Sequence, residues 1–155
     1  MSMKRRTFMK GTMSAAAVGV AAGAGLLAPT QVLAAWNKAA FEDSKTPDAV
    51  FGHIGGAPEH SDKITVKAPD IAENGAVVPV TIRADMDGVE EISIIVMENP
   101  GPLAASFVMG AGAAADVSCR IKMGKTSDVM GYVKAGGKAY ANKKEVKVTI
   151  GGCGG

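Results

Sequence analysis

Cysteine and aromatic residues are scarce: two cysteines, Cys119 and Cys153, and seven Trp, Tyr and Phe together occur in 155 residues. That excludes a disulfide-stapled miniprotein and leaves the chain to fold on an ordinary apolar core. There is no C-x-x-C pair and no C-x-x-C-H haem attachment site, which argues against dithiol redox chemistry and c-type electron transfer. Histidine is equally rare. His53 and His60 flank a glycine-containing loop without further ligands at metal spacing, so they read as solvated loop residues, and neither a metal nor another cofactor is expected. Asp85, Asp87, Glu90 and Glu91 bracket a turn but lack the later acidic ligand of a calcium loop, and read as a solvated strand connection. Acid is missing altogether from residues 1–34, which hold Lys4, Arg5, Arg6 and Lys10. The formal charge of +2 therefore misleads, because residues 35–155 carry 13 basic against 15 acidic side chains. A mildly acidic body gives no support to nucleic-acid binding.

The uneven charge marks an address. Arg5-Arg6 and Phe8 precede an Ala/Gly/Val run from Gly11 to Ala28, the pattern of a twin-arginine export signal. A transmembrane anchor fits less well, since Gly19, Gly23, Gly25 and Pro29 interrupt the run and its hydrophobicity is low. Residues 1–34 are thus expected to be a signal peptide cleaved between Ala34 and Ala35, placing the mature protein in the periplasm without membrane attachment. No cysteine lies near that point, so a lipoprotein is excluded. The route carries cargo that has already folded. Without a cofactor motif to explain this, a partner subunit carried along is the better reason.

The 121 residues that follow are enough to bury roughly two-thirds of their unfolded surface in one core. Trp36 to Ser44 reads as a short amphipathic helix with Trp36, Ala39 and Ala40 on one side. Thr46 then caps a second turn, with Pro47 at its first position and Gly52 as terminator. From Ile64 the period becomes two. Ile64 and Val66, then Val78, Val80 and Ile82, then Ile92, Ile94 and Val96, then Val117, Cys119 and Ile121, and finally Val146, Val148 and Ile150 alternate with more polar neighbours. Weaker strands fall at Leu103 to Met109 and Asp128 to Val133. Turn signals at Glu73-Asn74-Gly75, Asp87-Gly88, Asn99 to Pro102, Gly110 to Gly112, Gly136-Gly137 and Ala141-Asn142 separate them. About seven short strands predict an all-β, immunoglobulin-like antiparallel sandwich over residues 35–150, with a closed barrel as the alternative.

The last five residues, Gly151-Gly152-Cys153-Gly154-Gly155, contain a single side chain, a thiol. Glycine has no Cβ to order the chain or to collide with a channel wall, so this predicts a thin, flexible arm spanning roughly 17 Å when extended. Catalysis needs groups in fixed geometry, which such an arm cannot hold. Residues 151–155 therefore read as a swinging arm and Cys153 as a covalent attachment point, with no catalytic residue. The competing reading is an exported structural or binding module whose tail cysteine is incidental or disulfide-forming. Cys119 shares the apolar phase of its strand and is expected to be a buried small hydrophobe, a poor disulfide partner for a tail cysteine. An ordinary thiol is only about 3% ionised at pH 7. Lys143, Lys144 and Lys147 could raise that fraction, whereas the terminal carboxylate works against it. A ubiquitin-like thiocarboxylate carrier also ends in Gly-Gly, but its loading needs ATP, which an exported protein lacks.

The terminal motif from Val146 to Gly155 resembles the SoxY family of sulfur-carrier subunits of the bacterial Sox thiosulfate-oxidising system. Glu73 to Pro79, Asn99 to Leu103, Arg120 to Met123 and Lys125 to Val129 extend the likeness over essentially the whole mature chain. The resemblance implies an immunoglobulin-like sandwich paired as a heterodimer with a SoxZ-like subunit that lacks a leader of its own. It implies that Cys153 holds thiosulfate loaded by a c-type cytochrome, that a manganese-dependent hydrolase releases sulfate to leave a persulfide, and that a molybdenum-haem sulfane dehydrogenase oxidises the remaining sulfur where one exists. The chain itself would be a substrate handle and not an enzyme. Two departures stand out, Gly101 where the family is expected to carry Asn, and the second thiol of Cys119.

Overall fold

The computed structural model describes residues 37–149. The expected signal peptide, Ala35, Trp36, Ile150 and the arm at 151–155 lie outside the described residues. No helix among those described is long and apolar enough to cross a membrane.

The chain enters through a π-helical turn, Ala39–Asp43, and then helix α1, Pro47–Ile54. The sequence reading holds at the start of α1. Thr46 is extended and its hydroxyl accepts from the Ala49 N–H at 3.3 Å, with Pro47 just inside. It fails at the end, because α1 runs past Gly52 and is capped by Gly55, whose φ is 146°. Gly52 is exposed with open space where a Cβ would be, so nothing makes it stop the helix. The burial of Val50 and Ile54, one helical turn apart, carries α1 on instead.

Nine strands follow among the described residues: β1 Glu59–His60, β2 Ile64–Lys67, β3 Ile71–Ala72, β4 Val78–Ala84, β5 Val89–Val96, β6 Leu103–Val108, β7 Asp116–Ile121, β8 Ser127–Ala135 and β9 Lys138–Val148. Seven have four or more residues, the number expected, and the other two are two-residue additions. One sheet has the order β1-β9-β8-β5-β6, with β3 joining β9 further along, and the second has the order β2-β4-β7. The long pairings are antiparallel, whereas β1 and β3 pair with β9 in parallel. Two facing sheets make the expected immunoglobulin-like sandwich.

The alternation seen in the sequence is the sandwich core. Val78, Val80 and Ile82 face Ile92, Ile94, Val96, Val129, Val133 and Val146, with Val117, Ile121 and Met123 closing the layer. The larger sheet is also covered on its other side, where Ile95, Leu103 and Tyr132 pack under Ala40, Val50 and Ile54. Double coverage explains the unbroken burial from Ile92 to Val96. It also explains why β8 looked weak in sequence, since both of its faces are buried and its polarity hardly alternates. At Gly131, β8 packs directly against Ile82 and Val66 of the facing sheet. A Cβ there would stand 2.9 Å from two carbons of Ile82. Gly131→Ala is therefore expected to lower stability by about 1–3 kcal/mol through overpacking, measurable by urea denaturation.

Two turn assignments come out differently. Gly136 and Gly137, with φ of 57° and 75°, form the two-residue hairpin turn between β8 and β9, as their sequence suggests. Ala141-Asn142 is not a turn but lies inside β9, opposite Tyr132 and Gly131. The Asn142 side-chain amide donates to the Ile64 carbonyl at 2.8 Å, tying β9 to a strand of the opposite sheet. A residue type that usually marks turns is held in a strand by a partner 78 positions away.

Candidate functional site at the C-terminal root

The thiol singled out in the sequence, Cys153, and its glycine neighbours Gly151, Gly152, Gly154 and Gly155 lie outside the described residues. The strand that leads to them does not. β9 ends at Val148, and its final residues are held on both edges. Lys147 N–H donates to the Asp70 carbonyl at 3.0 Å and Thr149 N–H to the Ala72 carbonyl at 3.2 Å, while the Thr149 hydroxyl reaches the Glu73 carbonyl at 3.4 Å. On the other edge, Val148 N–H donates to Thr126 Oγ1 at 3.0 Å. β3 itself is stapled by Lys144, whose ammonium donates to the Ala68 carbonyl at 2.6 Å and pairs with Asp70 at 2.9 Å. That hydrogen bond and the ammonium charge hold the Asp70 carboxyl below its ordinary range.

Four separate stretches of sequence converge on this root. Glu73 to Pro79 supplies the Glu73 carbonyl, and the Gly75 carbonyl accepts from Met123 N–H at 2.7 Å. Asn99 joins two further stretches: its Nδ2 donates to the Lys122 carbonyl at 2.7 Å and its Oδ1 accepts from Gly124 N–H at 3.0 Å. Lys125 pairs with Glu98 at 2.9 Å. The segment from Lys122 to Thr126 is thereby set beside the end of β9. Gly101, the departure in the Asn99 to Pro102 loop, is exposed, has no positive φ and would place a Cβ in open space. An Asn would fit there without strain.

The three lysines put forward as helpers of the thiol separate. Lys143 is engaged by Asp128 at 2.6 Å and Lys144 by Asp70, while Lys147 is exposed next to the end of the strand. Cys119 is half-buried on β7, opposite Val80, and packs against the core between Val117 and Ile121. It is a free thiol, on the face expected but less completely covered, because β7 is an edge strand. Burial pushes its pKa above the ordinary thiol range. A raised pKa keeps the protonated form at neutral pH. In a Cys153→Ala protein, alkylation of Cys119 by iodoacetamide is expected to be slower than that of a free thiol at pH 8, and to keep accelerating above pH 9. A rate that levels off below pH 9 would contradict this environment.

The remaining candidates are dispersed. His53 lies in the last turn of α1 and not in a loop, and His60 is on β1, 3.0 Å from Asp62; both are exposed. Among the described residues no three His, Cys, Asp or Glu gather closely enough to hold a metal ion. Asp85 and Asp87 are exposed in the connection between β4 and β5. Glu90 accepts from Gly137 N–H at 3.0 Å, and Glu91 accepts from the hydroxyls of Ser93 and Ser106, so these two brace the larger sheet. What the sequence did not reveal is the clamp at the root. A two-residue parallel strand carries no periodicity, and the role of Thr126 depends on a partner 22 positions away.

A family model described as sulfur oxidation protein SoxY matches residues 48–153. Among solved structures, the sulfur carrier protein SoxY from Chlorobium limicola f thiosulfatophilum is 44% identical, with a TM-score of 0.61, over 70% of this chain and 99% of that one. A superoxide reductase (neelaredoxin) from Ignicoccus hospitalis aligns at 15% identity and a TM-score of 0.50, over 56% of this chain and 80% of that one, a likeness of fold alone. Comparison with curated proteins gives no significant match.

Proposed function

The chain belongs to the SoxY family of sulfur oxidation proteins, and from that premise we propose that it is a covalent carrier of sulfur intermediates in thiosulfate oxidation, with the thiol of Cys153 as its attachment point. The observation that carries this reading is that the family match runs through to residue 153, so the terminal cysteine falls inside the matched segment. The root geometry is consistent with it: a rigid sandwich holds the end of β9, and the thiol follows four residues after Thr149.

Loading forms a disulfide-type bond between the Cys153 thiolate and the outer sulfur of thiosulfate. An electron pair leaves to a c-type cytochrome that supplies the haem. Water then attacks the sulfonate sulfur at a manganese-dependent hydrolase, sulfate departs with that oxygen, and a persulfide stays on Cys153. In an organism that has one, a molybdenum-haem sulfane dehydrogenase takes electrons from the outer sulfur while water supplies the oxygens that make it a sulfonate, and a second hydrolysis releases it as sulfate and restores the thiol. In each step the chain contributes a sulfur atom and a docking body, and the metals belong to its partners. It is a handle and not an enzyme. A SoxZ-like subunit pairs with it, and the complex works in the periplasm after export by the twin-arginine signal of residues 1–34.

The test is intact-mass analysis of the mature protein incubated with thiosulfate and the partner enzymes. A reductant-labile adduct supports the proposal. No adduct, or one that resists reductant, counts against it.

A further inference from the structure

The bonds around the end of β9 assign a role to residues that the carrier reading leaves idle. β8 runs beside β9 as far as Ser127, which pairs with Val146. Beyond that point no β8 residue remains to accept from Val148 N–H, and the Thr126 hydroxyl does so in its place. Thr126 is in turn set by its own segment. Asn99 grips that segment at Lys122 and Gly124, and Met123 anchors it, fully buried and bonded to Gly75. β3 and Glu73 hold the opposite edge.

We infer that Thr126 is a positioning residue that fixes the point from which the C-terminal arm departs, with Asn99 holding Thr126 in place. The inference rests on Cys153 being the carrier thiol. A tethered group meets a docked partner at an effective concentration that falls as roughly the −3/2 power of the tether length. Counted from Thr149, four residues reach Cys153, about 14 Å when extended. Release of the whole root, the bonds on the β3 edge as well as the one to Thr126, would add Lys147, Val148 and Thr149 to the tether. By the same power law that lowers the effective concentration of the thiol at a docked partner about twofold. The clamp therefore exchanges reach for delivery to one place.

Thr126→Val keeps the volume and removes the acceptor, whereas Thr126→Ser keeps the acceptor. The experiment uses the mature protein carrying Cys119→Ala, with one nitroxide label on Cys153 and a second on Thr65→Cys, an exposed position of β2. Pulsed electron paramagnetic resonance reads the distance distribution between the labels, and hydrogen exchange of the unlabelled protein reads the Val148 amide. In Thr126→Val the distribution is expected to broaden and Val148 to exchange roughly fivefold faster, with Val146 unchanged. Thr126→Ser is expected to restore both. An unchanged width in Thr126→Val, equal loosening at Val146, or failure of Thr126→Ser to restore the width would overturn the inference. None of these readouts requires loading. A missing adduct with an intact clamp would therefore sink the carrier reading alone, and an adduct on a chain whose width ignores Thr126 would sink the clamp alone.

Discussion

Cys153→Ala is expected to abolish covalent loading, leaving no adduct above the background of intact-mass analysis. The size of the effect follows from the lack of a substitute. Residues 151–155 contain no other side chain. The remaining thiol, Cys119, is half-buried in the middle of β7 and is kept protonated by burial. It offers a partner enzyme neither reach nor a nucleophile. Intact-mass analysis before and after reductant checks this, and an adduct that persists in Cys153→Ala would show that the attachment site is elsewhere. Deleting Gly154 and Gly155 separates the thiol from a carboxylate carrier. A thiocarboxylate mechanism loses its reactive end with those residues, whereas a thiol carrier keeps a loadable sulfur.

Tyr132→Ala is the substitution for which the largest loss of stability is expected, about 3–5 kcal/mol. Tyr132 is fully buried between the larger sheet and the helical layer, with its ring stacked on Phe51 at 6.0 Å between centroids. Its hydroxyl donates to the Gly56 carbonyl at 3.1 Å, just past the end of α1. Truncation removes the ring and opens a cavity under α1, so its cost exceeds that of a lost hydrogen bond. Tyr132→Phe, which keeps the ring, should cost only about 1 kcal/mol. Urea midpoints of the three proteins give the order directly, and equal losses for Ala and Phe would refute the packing argument. The hydroxyl also has a pH signature. Burial, and then the charge of Glu91, raise its pKa above 10.0 in the folded protein. The unfolded chain therefore ionises first as pH rises past about 10, and stability falls there. Tyr132→Phe should lack that contribution to the alkaline decline.

Features set by neighbours in sequence were legible. Thr46 and Pro47 announce the start of α1 because a cap acts over three residues. Gly136-Gly137 announces a hairpin because its φ angles are open to glycine. The alternation of Val78, Val80 and Ile82 announces a strand with one buried face. The end of α1, the strand character of Ala141-Asn142 and the two short parallel strands were not legible, since each depends on a distant contact. Gly52 looks like a stop until Ile54 finds a sheet to pack against. Asn142 looks like a turn until it meets Ile64. For the proposed site, the sequence puts forward Cys153 and its glycines, which lie outside the described residues, whereas the contacts of Thr126, Asn99 and β3 could not be read from it.

By itself the sequence determined the all-β class, the scarcity of cysteine that makes Cys153 conspicuous, and the family likeness. Each follows from local pattern or composition, which needs no knowledge of what lies opposite. Only the tertiary structure decided that the larger sheet is buried on both faces and that four separated stretches meet at the end of β9. Hydrogen bonds such as Val148 to Thr126 and Asn99 to Gly124 join residues 22 and 25 positions apart. Such pairs leave no period in the sequence, and they form only when folding has already offset the entropy of bringing them together.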